Sequence, residues 1–310
     1  MRIGILSAEL DDEALVENQR LADEIEDLGH QSQIINYHRT YSYIDGTGAL
    51  YEHLADGSSR KIEVDAVIPR INEADPLSIT GGVSALRTLV LSGVYSPSSP
   101  EAVDLVKNKF NSQLVMAAAG VPTPRSVMET STVPTYIEEI LTAIEPDAEK
   151  SVIIKSNVGT HGIGVELTPN RTLAIASLTA HPPAQSGMPT IIQELIDSNQ
   201  ERPADIRLIT IGKKVMATMK RVAAEGEFRS NIAQGGTGVA YEPSEREIEV
   251  AEAASEAVNS DILGIDIMFL ESEPVVIEVN ISPGFHVEKV SGVNVPRLMA
   301  QLAIKNALKL

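Results

Sequence analysis

The sequence predicts an α/β unit at the N-terminus, followed by a mainly stranded α+β region. Strand and helix patterns alternate over residues 1–98, a strand runs into a glycine-rich turn within 99–188, and strand patterns dominate 189–310. Strand–helix alternation is typical of a parallel sheet, whereas strands that follow one another directly are typical of antiparallel sheets. We therefore expect three subdomains, bounded by these ranges.

The N-terminal unit is predicted from apolar periodicity. Apolar residues from Leu15 to Leu28 recur at helical spacing, and Gly29 is placed to end that helix. The turn dipeptides Asp45-Gly46 and Asp56-Gly57 indicate a hairpin-like stretch. The predicted strands are 2–7, Gln33–Tyr37 and Val64–Ile71, and the second helix is about Thr80–Leu91.

The middle subdomain carries a glycine-rich turn directly after a strand. A helix is predicted over 100–119, and a strand over Ser151–Lys155 leads into SNVGTHGIG, with a helix near Thr172–Ala180 after it. Backbone N–H groups freed by glycine can cradle phosphates, and a lysine at the strand end can reach them. The glycine spacing does not match the Walker pattern, so an ordinary hairpin is the alternative. Lys155 favours the phosphate site, because a lysine at that position needs an anion partner.

The C-terminal subdomain contains two strands with oxygen-bearing side chains on one face. Side chains alternate along a strand, so Asp266 in GIDIMFL points away from its apolar neighbours. In VVIEVN, Glu278 and Asn280 share a face, and the apolar Val275, Ile277 and Val279 point the other way. If the strands are neighbours, the three polar groups converge and suit Mg²⁺ or Mn²⁺. The alternative is that they only form hydrogen bonds at a sheet edge.

The other elements of this subdomain follow from local patterns. Ser244 and Glu247 form a capping-box pattern, which predicts a helix to about Val258. Further strands are predicted over 191–196, 205–211 and 214–223, and a final helix over about Val295–Leu308.

Composition excludes several classes of protein. The 310 residues are 43% hydrophobic, which is typical of a globular chain. They include no cysteine, so disulfides, zinc–thiolate sites and thiolate nucleophiles are excluded. The net charge of −18 disfavours sequence-independent nucleic acid binding. No apolar run approaches the roughly 20 residues that span a bilayer, and the N-terminus lacks a signal-peptide pattern. We therefore expect a cytoplasmic protein without a nucleic acid or membrane partner.

Several motifs together resemble one family of enzymes. KSNVGTHGIGV, IIQELI, DIR, EGEFRSNIAQGG, GIDI and IEVNISPG occur in the order seen in ATP-grasp ligases. The combination of FRSN with EVNxSPG is most similar to the RimK-type ligases, which add L-glutamate to the C-terminus of a ribosomal protein. The resemblance covers nearly all of residues 1–300 and implies an ATP-grasp fold. That fold has an N-terminal pre-ATP-grasp α/β domain, a central lid and a C-terminal α+β subdomain.

The resemblance also implies roles for individual residues. Leu195 stands where a tyrosine is common in the family, and the stretch before Asp205 is longer than usual. The implied ATP-binding residues are Lys109, Lys155, Gly162, Gly164, Glu194, Leu195, Asp205, Arg229, Ser230 and Asn231. Asp266, Glu278 and Asn280 match the ligands of Mg²⁺ or Mn²⁺, with two ions expected, and Arg207, Arg221 and Arg229 are the expected catalytic arginines.

The implied reaction joins a carboxylate to an amine through an acyl phosphate, with ATP as the phosphate donor. Glutamate is the expected amino acid, and Arg70, Arg207, Arg221 and Arg229 are candidates to hold its second carboxylate. The expected acceptor is the C-terminus of a peptide or ribosomal protein. A pterin, deazaflavin or amino-group carrier is the alternative, and a non-catalytic nucleotide-binding module is a further one. The intact trio of metal ligands disfavours the last, and we also expect a homo-oligomer.

Overall fold

The computed structural model describes residues 1–8, 12–46, 48–72, 75–129, 134–158, 164–180, 189–196, 202–227 and 235–309. The strands in these ranges are β1 (Arg2–Ser7), β2 (Gln31–Asn36), β3 (Thr40–Tyr43), β4 (Ala49–His53), β5 (Ser59–Lys61), β6 (Ala66–Arg70), β7 (Ser126–Glu129), β8 (Val152–Ser156), β9 (Val165–Thr168), β10 (Thr190–Glu194), β11 (Ala204–Ile211), β12 (Lys214–Val222), β13 (Thr237–Val239), β14 (Ile262–Leu270) and β15 (Glu273–Asn280). The helices are α1 (Asp12–Asp27), α2 (Pro76–Leu91), α3 (Pro100–Lys107), α4 (Lys109–Ala118), α5 (Pro134–Ile144), α6 (Arg171–Ala180), α7 (Glu245–Ala257), α8 (Glu288–Ser291) and α9 (Val295–Ala307). Among the described helices, none combines the length and the apolar character that crossing a bilayer requires.

The N-terminal unit is a parallel sheet in the order β2-β1-β6, as the strand–helix alternation predicts. Ile3 and Ile5 of β1 pack in one cluster with residues of α1 and α9, whereas Leu6 packs in another with residues of α2. The central strand is therefore buried on both faces, which explains its continuous apolar run. Gly29 has φ +81°, the left-handed conformation expected of a residue that ends a helix. The hairpin-like stretch forms the separate antiparallel sheet β3-β4-β5.

The helix predicted over 100–119 is two helices, α3 and α4, and the single-helix prediction is wrong. Asn108 between them has extended backbone angles, φ −101° and ψ 101°, and its side chain accepts a hydrogen bond from Asn111 N at 2.9 Å. Asparagine competes for backbone N–H groups in this way, so it starts a helix more readily than it continues one. The break makes Lys109 the first residue of α4.

The middle sheet has the order β7-β10-β8-β9, and β10 is antiparallel to both of its neighbours. The subdomain boundary expected between residues 188 and 189 would assign β10 to the C-terminal subdomain, although β10 pairs with strands of the middle sheet. The physical reason is packing, because Ile192 is buried in a cluster with Ile154 of β8 and Leu141 of α5. The polypeptide leaves this sheet only after Glu194.

The C-terminal sheet is antiparallel, in the order β13-β12-β11-β14-β15. The register between β14 and β15 shifts between Asp266 and Ile267. The predicted alternation of side chains along β15 is therefore wrong at this bulge. Val276, and not Ile277, packs with Val279 in the same cluster of buried apolar residues. The capping box at Ser244 and Glu247 is confirmed, and it starts α7 on this sheet.

Candidate active site

Two lysines from different elements approach the same place because one asparagine joins those elements. Lys155 lies near the end of β8, and Asn157 follows directly after that strand. The backbone O of Asn157 accepts a hydrogen bond from Lys109 N at 3.1 Å, and its Oδ1 accepts one from Phe110 N at 2.9 Å. The first turn of α4 is thereby attached to β8. Asn157 lies within the glycine-rich motif, but its role was not predicted from the sequence.

Lys155 is buried and held by a chain of amides. Its Nζ donates to Gln193 Oε1 at 3.0 Å, and Gln193 Nε2 donates in turn to Ser126 Oγ at 2.8 Å. Burial lowers the pKa of Lys155 to about 8; Glu278 opposes this shift, and Lys109 adds to it. The role of Gln193 was not predicted from the sequence, although a lone amide inside the apolar run IIQELI needs a buried partner.

Asp266, Glu278 and Asn280 share one face of the C-terminal sheet, as the strand pattern predicts. Asp266 and Glu278 are direct cross-strand partners, and Asn280 is paired with Gly264. Glu278 forms an ion pair with Lys109. Burial alone would raise the pKa of Glu278, but Lys109 lowers it below its usual range. This ion pair connects the acidic face of the C-terminal sheet to the lysines.

Asp266 belongs to a buried network of alternating charges. Arg207 donates to both of its oxygens, Nε to Oδ1 at 2.7 Å and Nη2 to Oδ2 at 2.6 Å. Arg221 lies 2.8 Å from Asp266 Oδ2 and also donates two hydrogen bonds of 2.6 Å to Asp205. Burial alone would raise the pKa of Asp266, but the two arginines hold it at about 2. The carboxylate is therefore ionised at any physiological pH.

The network gives Asp205 and Arg221 partners within the protein, and the nucleotide and catalytic roles expected for them stay predictions. Their side chains are only 4% and 3% exposed and are paired with each other, so each is engaged by a partner within the protein. Arg207 is paired with Asp266 through one edge of its guanidinium, Nε and Nη2, and it is less deeply buried. Arg207 and Arg221 fix the orientation of the Asp266 carboxylate, and together with Asp205 they balance its charge.

The structure also describes three other residues that the resemblance implies for ATP binding, namely Glu194, Leu195 and Gly164. Glu194 ends β10 and accepts two hydrogen bonds of 2.7 Å from Arg125, one from the backbone N and one from Nε. Leu195 follows directly after that strand. Gly164 has φ +73°, so it occupies the left-handed region after the glycine-rich turn.

Arg70 does not face the lysines or the acidic face. Its guanidinium is paired with Glu17 and donates to Pro283 O at 2.7 Å, with the side chain 1% exposed. Arg70 is therefore not available to a substrate carboxylate. Gly162, Arg229, Ser230 and Asn231 lie outside the described residues.

The acidic face fits a hard divalent cation by the chemistry of its donors. Its three side chains offer only carboxylate and amide oxygens, which Mg²⁺ and Mn²⁺ prefer. Each carboxylate oxygen has two lone pairs, so the pairs with Arg207, Arg221 and Lys109 leave acceptor capacity on Asp266 Oδ1 and on Glu278. Across the described part of the chain, no three histidine or acidic side chains are grouped to hold a metal. The candidate set depends instead on two acids and the amide of Asn280.

Comparison with known proteins matches nearly the whole chain to one family. A model of the RimK PreATP-grasp domain matches residues 1–103, and a model of the RimK-like ATP-grasp domain matches residues 106–303. A probable alpha-L-glutamate ligase of Aliivibrio fischeri (strain MJ11) is 31% identical over 309 residues, 99% of this chain and 96% of that protein. One from Xanthomonas oryzae pv. oryzae is 32% identical over 303 residues, 97% of this chain and 96% of that protein.

Solved structures show the fold at lower identity. The D-alanyl-alanine synthetase A of Vibrio cholerae has a TM-score of 0.73 at 18% identity, covering 99% of this chain and 98% of that one. The ATP-grasp ligase PsnB, solved with minimal precursor, Mg and ADP, has a TM-score of 0.68 at 16% identity, covering 98% and 97%. The α/β and α+β architecture is thus an ATP-grasp fold with an N-terminal pre-ATP-grasp domain, as the sequence predicts.

The pKa of Lys155 predicts how ATP binding depends on pH. A protonated amine attracts phosphate and a neutral one does not, so the affinity of the nucleotide-free protein for ATP should fall as pH rises through about 8. Lys155→Arg keeps its charge in this range and should remove the fall. Calorimetric titration between about pH 7 and about 9.5 measures both affinities. The same pH dependence in the two proteins would rule out Lys155 as the cause.

Proposed function

The chain belongs to the RimK-like ATP-grasp family and is an ATP-dependent ligase; on that premise, we propose that it adds L-glutamate to the C-terminal carboxylate of a peptide or protein. The observation that carries the proposal is the ion pair between Lys109 and Glu278. It brings the lysines of the middle subdomain against the acidic face of the C-terminal sheet. Phosphate groups and a divalent cation can bind side by side at such a boundary.

The chemistry we propose forms and breaks bonds in two steps. A carboxylate oxygen of the acceptor attacks the γ-phosphorus of ATP, and ADP leaves. The amino group of glutamate then attacks the acyl carbon of the acyl phosphate, and inorganic phosphate leaves with the oxygen that joined it to that carbon. The product is an amide, and no side-chain nucleophile is required.

The residues of the chain would stabilise charge in this reaction. Lys109 and Lys155 would bind the ATP phosphates, and the backbone at Gly162 and Gly164 would cover them. Asp266, Glu278 and Asn280 would hold Mg²⁺ or Mn²⁺, and we propose that two ions bind. The bound ions would neutralise charge on the phosphates. Glu194 and Leu195 would contact the adenine, and Ser230 and Asn231 would contact the nucleotide or the acyl phosphate.

The arginines divide into two groups under this proposal. Arg207 and Arg221 would act through Asp266, because both are already paired with it. Arg70 is paired with Glu17. We propose Arg229 for the second carboxylate of glutamate, because a carboxylate inside an acidic protein needs an arginine partner.

The acceptor we propose is a basic peptide tail, with a ribosomal protein as the leading candidate. The net charge of −18 would attract such a tail and would repel a small anionic acid. The relatives named glutamate ligases support the amino acid, and the neighbour solved with a precursor peptide supports a peptide acceptor. We place the reaction in the cytoplasm, where ATP is available. The homo-oligomer stays a prediction, which light scattering can test.

Single substitutions on the two sides of the site test the proposed roles. Lys155→Ala and Glu278→Ala should each lower kcat by about a hundredfold or more, because each removes a group that stabilises transferring phosphate. Lys214→Ala and Glu252→Ala are matched controls, since these residues form a partly exposed ion pair between β12 and α7 and should keep wild-type turnover. ADP release gives the rates, and circular dichroism checks the fold. Near wild-type turnover in a folded Lys155→Ala or Glu278→Ala protein would remove that residue from the proposal.

Amino acid preference tests the substrate assignment. In a competition among the twenty amino acids with a basic C-terminal peptide and ATP, glutamate should be incorporated preferentially. Arg229→Ala should raise the KM for glutamate by about tenfold or more, while the KM for ATP changes less, because a charge-assisted carboxylate contact is lost. Mass spectrometry identifies the product. Preference for a neutral or basic amino acid would overturn glutamate, and preference for a small free acid as acceptor would overturn the peptide.

A further inference from the structure

The segment that follows Asn280 is held by the N-terminal unit. This segment, Asn280–Phe285 with the sequence NISPGF, leaves the end of β15. Arg70 Nη1 donates to Pro283 O at 2.7 Å, and Phe285 N donates to Glu17 Oε1 at 2.6 Å. Glu17 and Arg70 are themselves an ion pair. One carboxylate on α1 and one guanidinium at the end of β6 thus hold two points of the segment.

The contacts between this pair and the segment are tightly packed. The Arg70 guanidinium lies 4.8 Å from the centroid of the Phe285 ring, a cation–π contact. A Cβ added to Gly284 would lie 3.0 Å from Glu17 Oε1, so the carboxylate fills the space that a side chain would need. On the other side, a Cβ on Gly264 would lie 3.1 Å from Pro283 Cβ. The segment therefore cannot shift without disturbing Glu17 or the sheet.

The segment also fixes the amide of Asn280. Asn280 Oδ1 accepts a hydrogen bond from the backbone N of Ser282 at 3.1 Å. Ser282 Oγ in turn lies 3.5 Å from Pro69 O, at the end of β6. The orientation of the Asn280 amide thus depends on the backbone path of residues 281–285. That path depends on Glu17 and Arg70.

We propose that Glu17 and Arg70 are positioning residues that orient the Asn280 amide oxygen toward the divalent cation. The inference rests on the metal role proposed for Asn280. An ion pair this buried stabilises a fold no better than an apolar pair of similar size. What it provides is a defined geometry, because two hydrogen bonds and a ring contact fix the register between the N-terminal unit and the segment. Residues that fix the orientation of a metal ligand without contacting the metal themselves affect metal affinity strongly.

Glu24 offers a matched control on the same helix. It lies about two turns along α1 from Glu17, and it also bridges to the C-terminal subdomain. Its oxygens accept hydrogen bonds from Arg297 Nη1 at 2.9 Å and from Asn294 Nδ2 at 2.6 Å. Both partners belong to the start of α9, so the hydrogen bonds of Glu24 join the same two parts of the molecule through residues other than 280–285.

Mn²⁺ binding tests the inference without turnover. The full-length protein is titrated with MnCl₂ at saturating ADP, and electron paramagnetic resonance measures free Mn²⁺. Glu17→Gln should weaken Mn²⁺ binding by about tenfold or more, and Gly284→Ala should weaken it in the same direction by displacing the Glu17 carboxylate. Glu24→Gln should bind Mn²⁺ as the wild type does. Melting temperatures record the stability of each variant.

The outcomes separate this inference from the proposed function. Wild-type Mn²⁺ affinity in Glu17→Gln and Gly284→Ala would overturn the positioning role and leave the metal site in place. If Glu24→Gln weakened Mn²⁺ binding as much as Glu17→Gln does, the positioning role would also be overturned. Any loss of contact between the N-terminal unit and the C-terminal subdomain would then be enough to weaken Mn²⁺ binding. Absence of Mn²⁺ binding in the wild type would overturn both the metal site and the inference. If Glu17→Gln does not fold, Gly284→Ala decides, since its backbone angles of φ −72° and ψ 163° suit alanine.

Discussion

The carboxylate of Asp266 lies inside the C-terminal sheet with almost no exposure to water, and two arginines make that burial possible. A buried charge without partners is strongly destabilising, and removing one partner of a buried pair costs about 3–5 kcal/mol. Arg207 and Arg221 each donate to Asp266, and Asp205 balances the second arginine. The arrangement holds the carboxylate in a defined orientation and lowers its pKa to about 2, so that it is ionised at physiological pH. The sheet register then places Glu278 directly opposite it.

The lysines and the acidic face form one electrostatic unit. Lys109 neutralises Glu278, while Lys155 is buried nearby with a pKa of only about 8. An incoming phosphate would compete with Glu278 for Lys109, and a divalent cation would compete with Lys109 for Glu278. Binding both together exchanges one set of opposite charges for another, so little net charge is buried. This exchange is a physical reason for nucleotide and metal to bind as a pair.

Part of this arrangement is readable from the sequence. Period-two alternation places Asp266, Glu278 and Asn280 on one face, and the parallel N-terminal sheet and the capping box at Ser244 follow from local pattern. Other parts depend on tertiary contacts that local pattern does not encode. The bulge that buries Val276 is of this kind, as are the pairing of β10 with β8 and the partners of Arg221 and Arg70. An arginine at a sheet position looks the same in sequence whether it meets a ligand or a buried acid.

The proposed acyl phosphate would distinguish this ligase from enzymes that activate carboxylates as adenylates, and oxygen labelling would detect it directly. A carboxylate acceptor labelled with ¹⁸O is incubated with ATP, Mg²⁺, glutamate and the enzyme, and the released phosphate is examined by mass spectrometry. Attack of the carboxylate on the γ-phosphorus predicts one ¹⁸O atom in inorganic phosphate for each amide formed, with ADP as the other product. Unlabelled phosphate, or label in AMP, would contradict the mechanism.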